Sequence, residues 1–267
     1  MRYYFHIGYV GANYSGWQKN GKYHSVQKVL EDGISQILKV EANIIGCGRT
    51  DAKVNASQYF FHLDVGASLE ERFLFKINKL LPTDISVFDI IEMEGQPHAR
   101  FDATQRKYDY FIHTYKDPFL ASFSALYLNL SLDFEKLKSA TALLLKYKDY
   151  RPFCTSPDKN EHTICHISSA KWLICNEGKR LRFQLSSNRF LSKMIRIIVG
   201  QLLKVGEGKL ALEEFEGYLK NLETPKILSP AHPQGLYLSK ITYPYLDIPP
   251  KTDFFNLDGK TEKWEEI

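Results

Sequence analysis

Cysteine is scarce in these 267 residues: Cys47, Cys154, Cys165 and Cys175 are the whole set, and no two form a CxxC pair. In a chain of this length that spacing excludes a disulfide framework and argues for reduced thiols. It also leaves structural zinc without ligands. His162 and His166 stand four apart, as on a zincin helix, but Thr163 occupies the position where that motif needs its general-base Glu, so no metal is expected. No apolar run reaches membrane-spanning length, and the opening Arg2-Tyr3-Tyr4-Phe5-His6-Ile7 has no apolar signal core. The expectation is a soluble cytoplasmic protein without a membrane partner. A GxSxG elbow, a Walker loop and a GxGxxG after a strand are missing too, which leaves a nucleotide cofactor without a home; none is expected. Charge of one sign is in small excess, 35 Lys and Arg against 31 Asp and Glu. A net charge of +4 is compatible with nucleic acid but does not establish it.

Apolar and aromatic residues are plentiful. With 44% hydrophobic residues the chain can bury a sizeable core, and its 16 Tyr and 17 Phe can serve there or as platforms for bases. Residues 2 to 9 read as a strand ending in a loop from Gly11 to Gly21. Ser25 is a good N-cap for a helix whose buried face is Val26, Val29, Leu30, Ile34, Ile37 and Leu38. Strands follow near 42–48 and 57–65, then a helix near 69–80 and a strand at 84–92. The second half reads as a strand at 106–114, a helix at 133–147, strands near 163–174 and 180–187, helices at 190–204 and 211–221, and a strand at 236–243. Two halves of similar α+β order suggest duplicated ferredoxin-like units sharing a sheet. The expected division is 1–104, 105–245 and an irregular Pro- and charge-rich surface tail, 246–267.

Three groups could carry chemistry. The stretch Gly46-Cys47-Gly48-Arg49-Thr50-Asp51 puts a carboxylate near two glycines and a cation on a turn between strands. On spacing alone a solvated surface turn is the commoner explanation. Near the start of the 190–204 helix, Arg189, Lys193 and Arg196 fall at i, i+4 and i+7 as a basic stripe, which reads either as a solvated face or as a binding face. Gly200 prolongs it, where another backbone or a nucleic-acid strand could come close. On the strand Gln105-Arg106-Lys107-Tyr108-Asp109-Tyr110, alternation puts Arg106, Tyr108 and Tyr110 on one face, as a platform for a base or as core. Such a set suits cofactor-free work on a polyanion.

Gly48-Arg49-Thr50-Asp51-Ala52 resembles the Gly-Arg-Thr-Asp-Ala motif of the tRNA pseudouridine synthase A family. Five further motifs follow the family's order: Gly16-Trp17-Gln18 with Ser25-Val26-Gln27, His98-Ala99-Arg100-Phe101, Arg106-Lys107-Tyr108-Asp109-Tyr110, the segment from Phe190 to Gly200 with Val205-Gly206-Glu207-Gly208-Lys209, and Gly235-Leu236-Tyr237-Leu238 with Tyr243-Pro244. The resemblance implies two ferredoxin-like, RRM-like α+β halves sharing a central, mostly antiparallel mixed sheet flanked by helices. It implies a cofactor-free isomerase that converts uridine to pseudouridine in the anticodon arm of tRNA, at positions 38 to 40, acting as a homodimer. Asp51 would be the nucleophile, at C1′ of the ribose or C6 of the uracil. Tyr108 would stack on the base, and Arg196 would keep the carboxylate ionised. Arg49 would help unstack the uridine and hold the RNA, with Lys53, Arg106, Arg189 and Lys193 as further RNA contacts.

The chain departs from the family where Lys53-Val54-Asn55 replaces Gly-Val-His, in Asp149-Tyr150-Arg151-Pro152-Phe153, and at His162-Thr163. These departures keep open a paralogue with another RNA target and, in another class, a catalytically feeble RNA-binding protein on the same scaffold.

Overall fold

The computed structural model describes residues 1–175, 177–251 and 264–267. Its fold is α+β, and by contacts the chain divides into two compact units. Among the described residues, 1–106 with 237–251 make the first, and 107–236 with 264–267 make the second. Each unit joins strands paired mostly antiparallel to helices.

In the first unit the strands are β1 (Arg2–Tyr9), β2 (Ile44–Gly46), β3 (Asn55–Asp64) and β4 (Ile85–Met93). The helices are α1 (Val26–Leu38) and α2 (Phe73–Leu80). Strand β1 lies antiparallel between β3 and β4, and its aromatic run is buried on both faces. Phe5 pairs with Phe61, their rings stacked at 4.7 Å, while Phe73 of α2 meets Phe5 edge-on at 6.2 Å. The Ser25 hydroxyl accepts the Lys28 N–H at 3.3 Å, capping α1 as its sequence predicts. A late strand completes this unit. With β5 (Gln105–His113), β6 (Ala125–Leu126), β7 (Ile167–Cys175) and β8 (Arg180–Ser187) intervening, β9 (Leu236–Thr242) returns to lie parallel to β3, pairing Asn55 with Tyr237. The buried Gln58 amide pins the return: its oxygen accepts the Ile241 N–H at 3.0 Å and its nitrogen donates to Ile248 O at 3.0 Å.

The second unit holds β5 to β8 with α3 (Phe134–Leu143), α4 (Met194–Gly206) and α5 (Leu212–Asn221). Strand β8 runs between β7 and β5, and β6 pairs parallel to β5. Buried Trp172 of β7 stacks against Phe183 at 4.8 Å and donates its indole N–H to Thr141 of α3 at 3.0 Å. Asp109 of β5, 1% exposed, accepts from Arg182 and Gln184 of β8 at 2.6 and 2.7 Å.

Two sequence expectations need correction here. The helix expected from 190 starts at Met194, because Lys193 takes a left-handed φ of 57°, which the helical hydrogen-bond pattern cannot include. The tail expected to be irregular ends in a short strand, β10 (Glu265–Glu266). It pairs antiparallel with β7, Glu265 opposite Ile174 and Glu266 opposite Leu173, Ile267 N–H adds a bond to Trp172 O at 3.2 Å, and the Trp264 ring meets Phe111 at 6.0 Å. Residues 252–263 of that tail lie outside the described residues.

Candidate active site

The turn bearing Asp51 leaves β2 at Gly46 and enters β3 at Asn55, and it is held from several sides. Cys47 N–H donates to Phe60 O at 2.8 Å, and the Tyr59 hydroxyl donates to Gly48 O at 2.6 Å. The Thr50 hydroxyl bonds the buried Tyr9 hydroxyl at 2.8 Å, and Thr50 O accepts from Trp17 N–H at 3.2 Å. Past the acid, Val54 N–H closes the turn onto Asp51 O at 3.2 Å and Lys53 N–H donates to Tyr14 O at 3.1 Å. The backbone on both sides of Asp51 is thus bonded into the fold, while the acid itself is half-buried.

Residues 11–17 form the brace. The Trp17 ring, 3% exposed, stacks on Tyr59 at 4.1 Å. Gly16, at φ 98°, lies so close that a Cβ there would sit 2.4 Å from Thr50 O, and a Cβ on Gly11 would sit 2.1 Å from Val54 O. Asn55 belongs to this brace. It is fully buried and its Oδ1 accepts the Gly11 N–H at 2.8 Å. An amide acceptor does that without titrating, so its substitution for the family's His acts on the loop's support.

Arg49 and Asp51 line one open cleft of about 440 Å³ with Gln18, Lys19, Asn20 and Tyr23. Lys19 is held by the buried Glu31 at 3.0 Å. Arg49 is exposed, and among the described residues no hydrogen bond or ion pair occupies its guanidinium. Lys53 is exposed at a left-handed φ of 64°, where a glycine would be unstrained. Cys47, just upstream, is no nucleophile: burial pushes its thiol up to about 12.

Arg106, expected among the RNA contacts, is engaged by main-chain carbonyls. Its guanidinium donates to Ala103 O and Arg100 O at 2.6 Å each and to Cys47 O at 3.3 Å. It therefore ties the His98-Ala99-Arg100-Phe101 turn to the start of the Asp51 loop. In that turn the His98 ring accepts from the N–H groups of Arg100 and Phe101 at 3.1 and 3.2 Å, leaving Phe101 exposed.

In the second unit, Tyr108 and Tyr110 share one face of β5 but differ in depth. Tyr110 is core, fully buried, with its hydroxyl on His232 O at 2.9 Å. Tyr108 is half-buried, its ring edge-on to Phe190 at 5.1 Å. The basic stripe on a helix is not formed, since Arg189 and Lys193 precede α4. The Arg189 guanidinium lies against the His162 ring nitrogens at 3.3 and 3.1 Å, and Lys193 is exposed at the turn. Arg196 opens α4 with its Nε on Ala231 O at 2.8 Å, while Ala231 N–H returns a bond to Arg196 O at 2.8 Å. Gly200 admits another backbone: a Cβ there would stand 2.2 Å from Ser229 O.

Among the described residues no three His, Cys, Asp or Glu side chains group as metal ligands, and no helix is long and apolar enough to cross a membrane. The positioning residues that sequence reasoning passed over are Tyr9, Tyr14 and Tyr59. Only the Gly16-Trp17 pair carried a local signal, because the others act through contacts distant in sequence.

Comparison with known proteins gives a consistent result. The sequence model of a family described as tRNA pseudouridine synthase matches residues 140–244. A protein of Porphyromonas gingivalis named tRNA pseudouridine synthase A is 35% identical over 250 residues, covering 91% of this chain and 97% of its own. The protein of that name from Bacteroides thetaiotaomicron is 38% identical, with 91% of each chain covered. The one from Gloeobacter violaceus is 33% identical over 92% of this chain and 81% of its own.

Proposed function

This chain belongs to the tRNA pseudouridine synthase A family, and from that footing we propose that it modifies the anticodon arm, at positions 38 to 40, with Asp51 as nucleophile. It is an isomerase that makes pseudouridine in tRNA. The bond between uracil N1 and C1′ breaks, the base turns, and C5 joins C1′. The proton released from C5 balances the one taken up at N1, so no oxidant, reductant or cofactor enters. A carboxylate serves either route, adding to C1′ or to C6 and leaving again when the new bond forms.

The observation that carries this reading is the Asp51 loop itself. One half-buried carboxylate, held through its own backbone and its neighbours', lines a cleft with the exposed Arg49. Fixing the acid beforehand reduces the ordering needed to reach the transition state. Tyr108 and Arg196 complete the chemistry in this reading, as base platform and as cation for the acid. Arg49, Lys53, Arg189 and Lys193 carry the polyanion. The protein works in the cytoplasm as a homodimer.

The test is to incubate the purified chain with unmodified tRNA transcripts and map pseudouridine at single-nucleotide resolution. Product confined to positions 38 to 40, and lost in Asp51→Ala, is the expected outcome. Product elsewhere would redirect the substrate assignment, and product that survives Asp51→Ala would remove the acid from the mechanism.

A further inference from the structure

The cleft holding Asp51 has one wall that the isomerisation does not use. Residues 18–24 form a turn closed at both ends. Ser15 N–H donates to His24 O at 2.8 Å, Lys19 N–H to the Gln27 side chain at 3.0 Å, and Tyr23 N–H to Asn20 O at 3.2 Å. Gly21 supplies the positive φ of 55° the turn needs, with nothing near its absent Cβ. His24 stacks on Tyr14 at 4.9 Å, which anchors the end of the turn. Against that frame Tyr23 stands out. The residue is 58% exposed, yet it lines the cleft that holds Asp51 and Arg49.

An aromatic ring left in water on a fastened turn costs apolar exposure without helping the core. Its neighbours in the cleft are the amides of Gln18 and Asn20 and the cations Lys19 and Arg49, while the exposed Lys22 precedes it in the chain. Ring, amides and cations together match a nucleotide: a face to stack on a base, donors and acceptors for its edge, positive charge for its phosphate. The turn already fixes the backbone that carries the ring, so covering it orders only the ring's own rotations and less freedom is lost than on a loose loop.

We propose that Tyr23 is a substrate-positioning residue, stacking on an unpaired base next to the uridine that Asp51 attacks and so helping to select which uridine is presented. This rests on the proposed reading of Asp51 as the catalytic acid of an RNA isomerase. The amides of Gln18 and Asn20 face the edge of the stacked base, and Lys22 with Arg49 holds its backbone.

The experiment compares Tyr23→Ala, Tyr23→Phe and the unaltered chain on an unmodified tRNA transcript, measuring kcat and KM for pseudouridine formation. RNA affinity is measured in parallel at several salt concentrations. Tyr23→Ala is expected to raise KM and weaken binding by about tenfold, the effect of removing one base–aromatic stack. Tyr23→Phe keeps the ring and restores both. The slope of binding against salt stays the same in all three, because stacking releases no counterions. Thermal unfolding at the unaltered temperature in Tyr23→Ala separates lost contact from lost fold.

Unimpaired turnover and affinity in Tyr23→Ala would overturn the stacking role while leaving the Asp51 reading intact. A defect in Tyr23→Phe equal to that in Tyr23→Ala would do the same, by assigning the effect to the hydroxyl. If the unaltered chain bound no RNA, the proposed function and the stacking role would fall together. If it bound RNA without forming product, the affinity series would still decide on Tyr23, and only the isomerase reading would be lost.

Discussion

At the residue scale, Lys53 shows how a single departure from a family pattern acquires a physical meaning. The turn requires a left-handed backbone at this position, φ 64°, where glycine is at ease and a lysine is strained by about 1 kcal/mol. Removing the strain is opposed by the greater freedom glycine has in the unfolded chain, worth about 0.5–1 kcal/mol. Lys53→Gly is therefore expected to leave the urea midpoint unchanged or raise stability by up to about 0.5 kcal/mol. The same variant is expected to weaken RNA binding and lower the salt slope by about one phosphate contact, which a titration at several salt concentrations reads. A fall in stability with unchanged RNA binding would make Lys53 a structural residue. Asn55 carries the opposite lesson. It stands two residues away and was equally suspect by position, but it is buried under the loop with Gly11 as its partner. Exposure, which no local pattern reveals, separates the two.

At the scale of elements, what matters is how the 11–17 segment supports the turn between β2 and β3. The Gly16-Trp17 pair was legible as a motif, but its reason is tertiary: the glycine lets Thr50 O approach and the indole lies on Tyr59. A Gly16→Ala change places a methyl group 2.4 Å from a backbone oxygen, at a φ of 98° that alanine disfavours. It is expected to destabilise the protein by about 3 kcal/mol and to reduce kcat more than it changes RNA affinity, since it displaces the acid's loop. Denaturant unfolding and single-turnover rates check this; an alanine variant with full kcat would show that the loop needs no such brace. The start of α4 was misplaced for a related reason. Apolar periodicity runs on through Leu191, but Lys193 turns left-handed and ends the helical path there. Periodicity records which side chains face the core, and it does not register one backbone angle.

At the scale of the whole molecule, acid stability follows from buried histidines. Burial, followed by the charges of Arg2 and His98, lowers the His62 pKa from 6.5 to about 4. Its Nδ1 accepts the Ala99 N–H at 3.1 Å, a bond that requires the neutral ring. Below pH 6.5 the unfolded chain takes up a proton that the folded one refuses, so stability falls between pH 6.5 and about 4 and is steady above that window. The loss is about 3 kcal/mol at the acid end. Burial also lowers the pKa of His6, so its contribution has the same sign. Urea midpoints measured from pH 7.5 to 4.5 should fall on the acid side, and His62→Gln, which keeps an acceptor but cannot titrate, should flatten that fall. An equally steep fall in the variant would assign the acid sensitivity to other groups.

Elements with repeating patterns could be read from the chain alone: the strand–helix order, the Ser25 cap, the Val26, Leu30 and Ile34 part of the expected α1 core face, and the Asp51 turn with its family resemblance. These depend on local spacing and residue type, which a sequence displays in full. The tertiary structure alone decided which polar groups are free. Arg106 is held by three carbonyls and Tyr110 is sunk in the core, whereas Arg49, Lys53 and Tyr23 remain exposed. The reason is that a side chain's availability depends on partners distant in sequence, and those become neighbours only when the chain has folded.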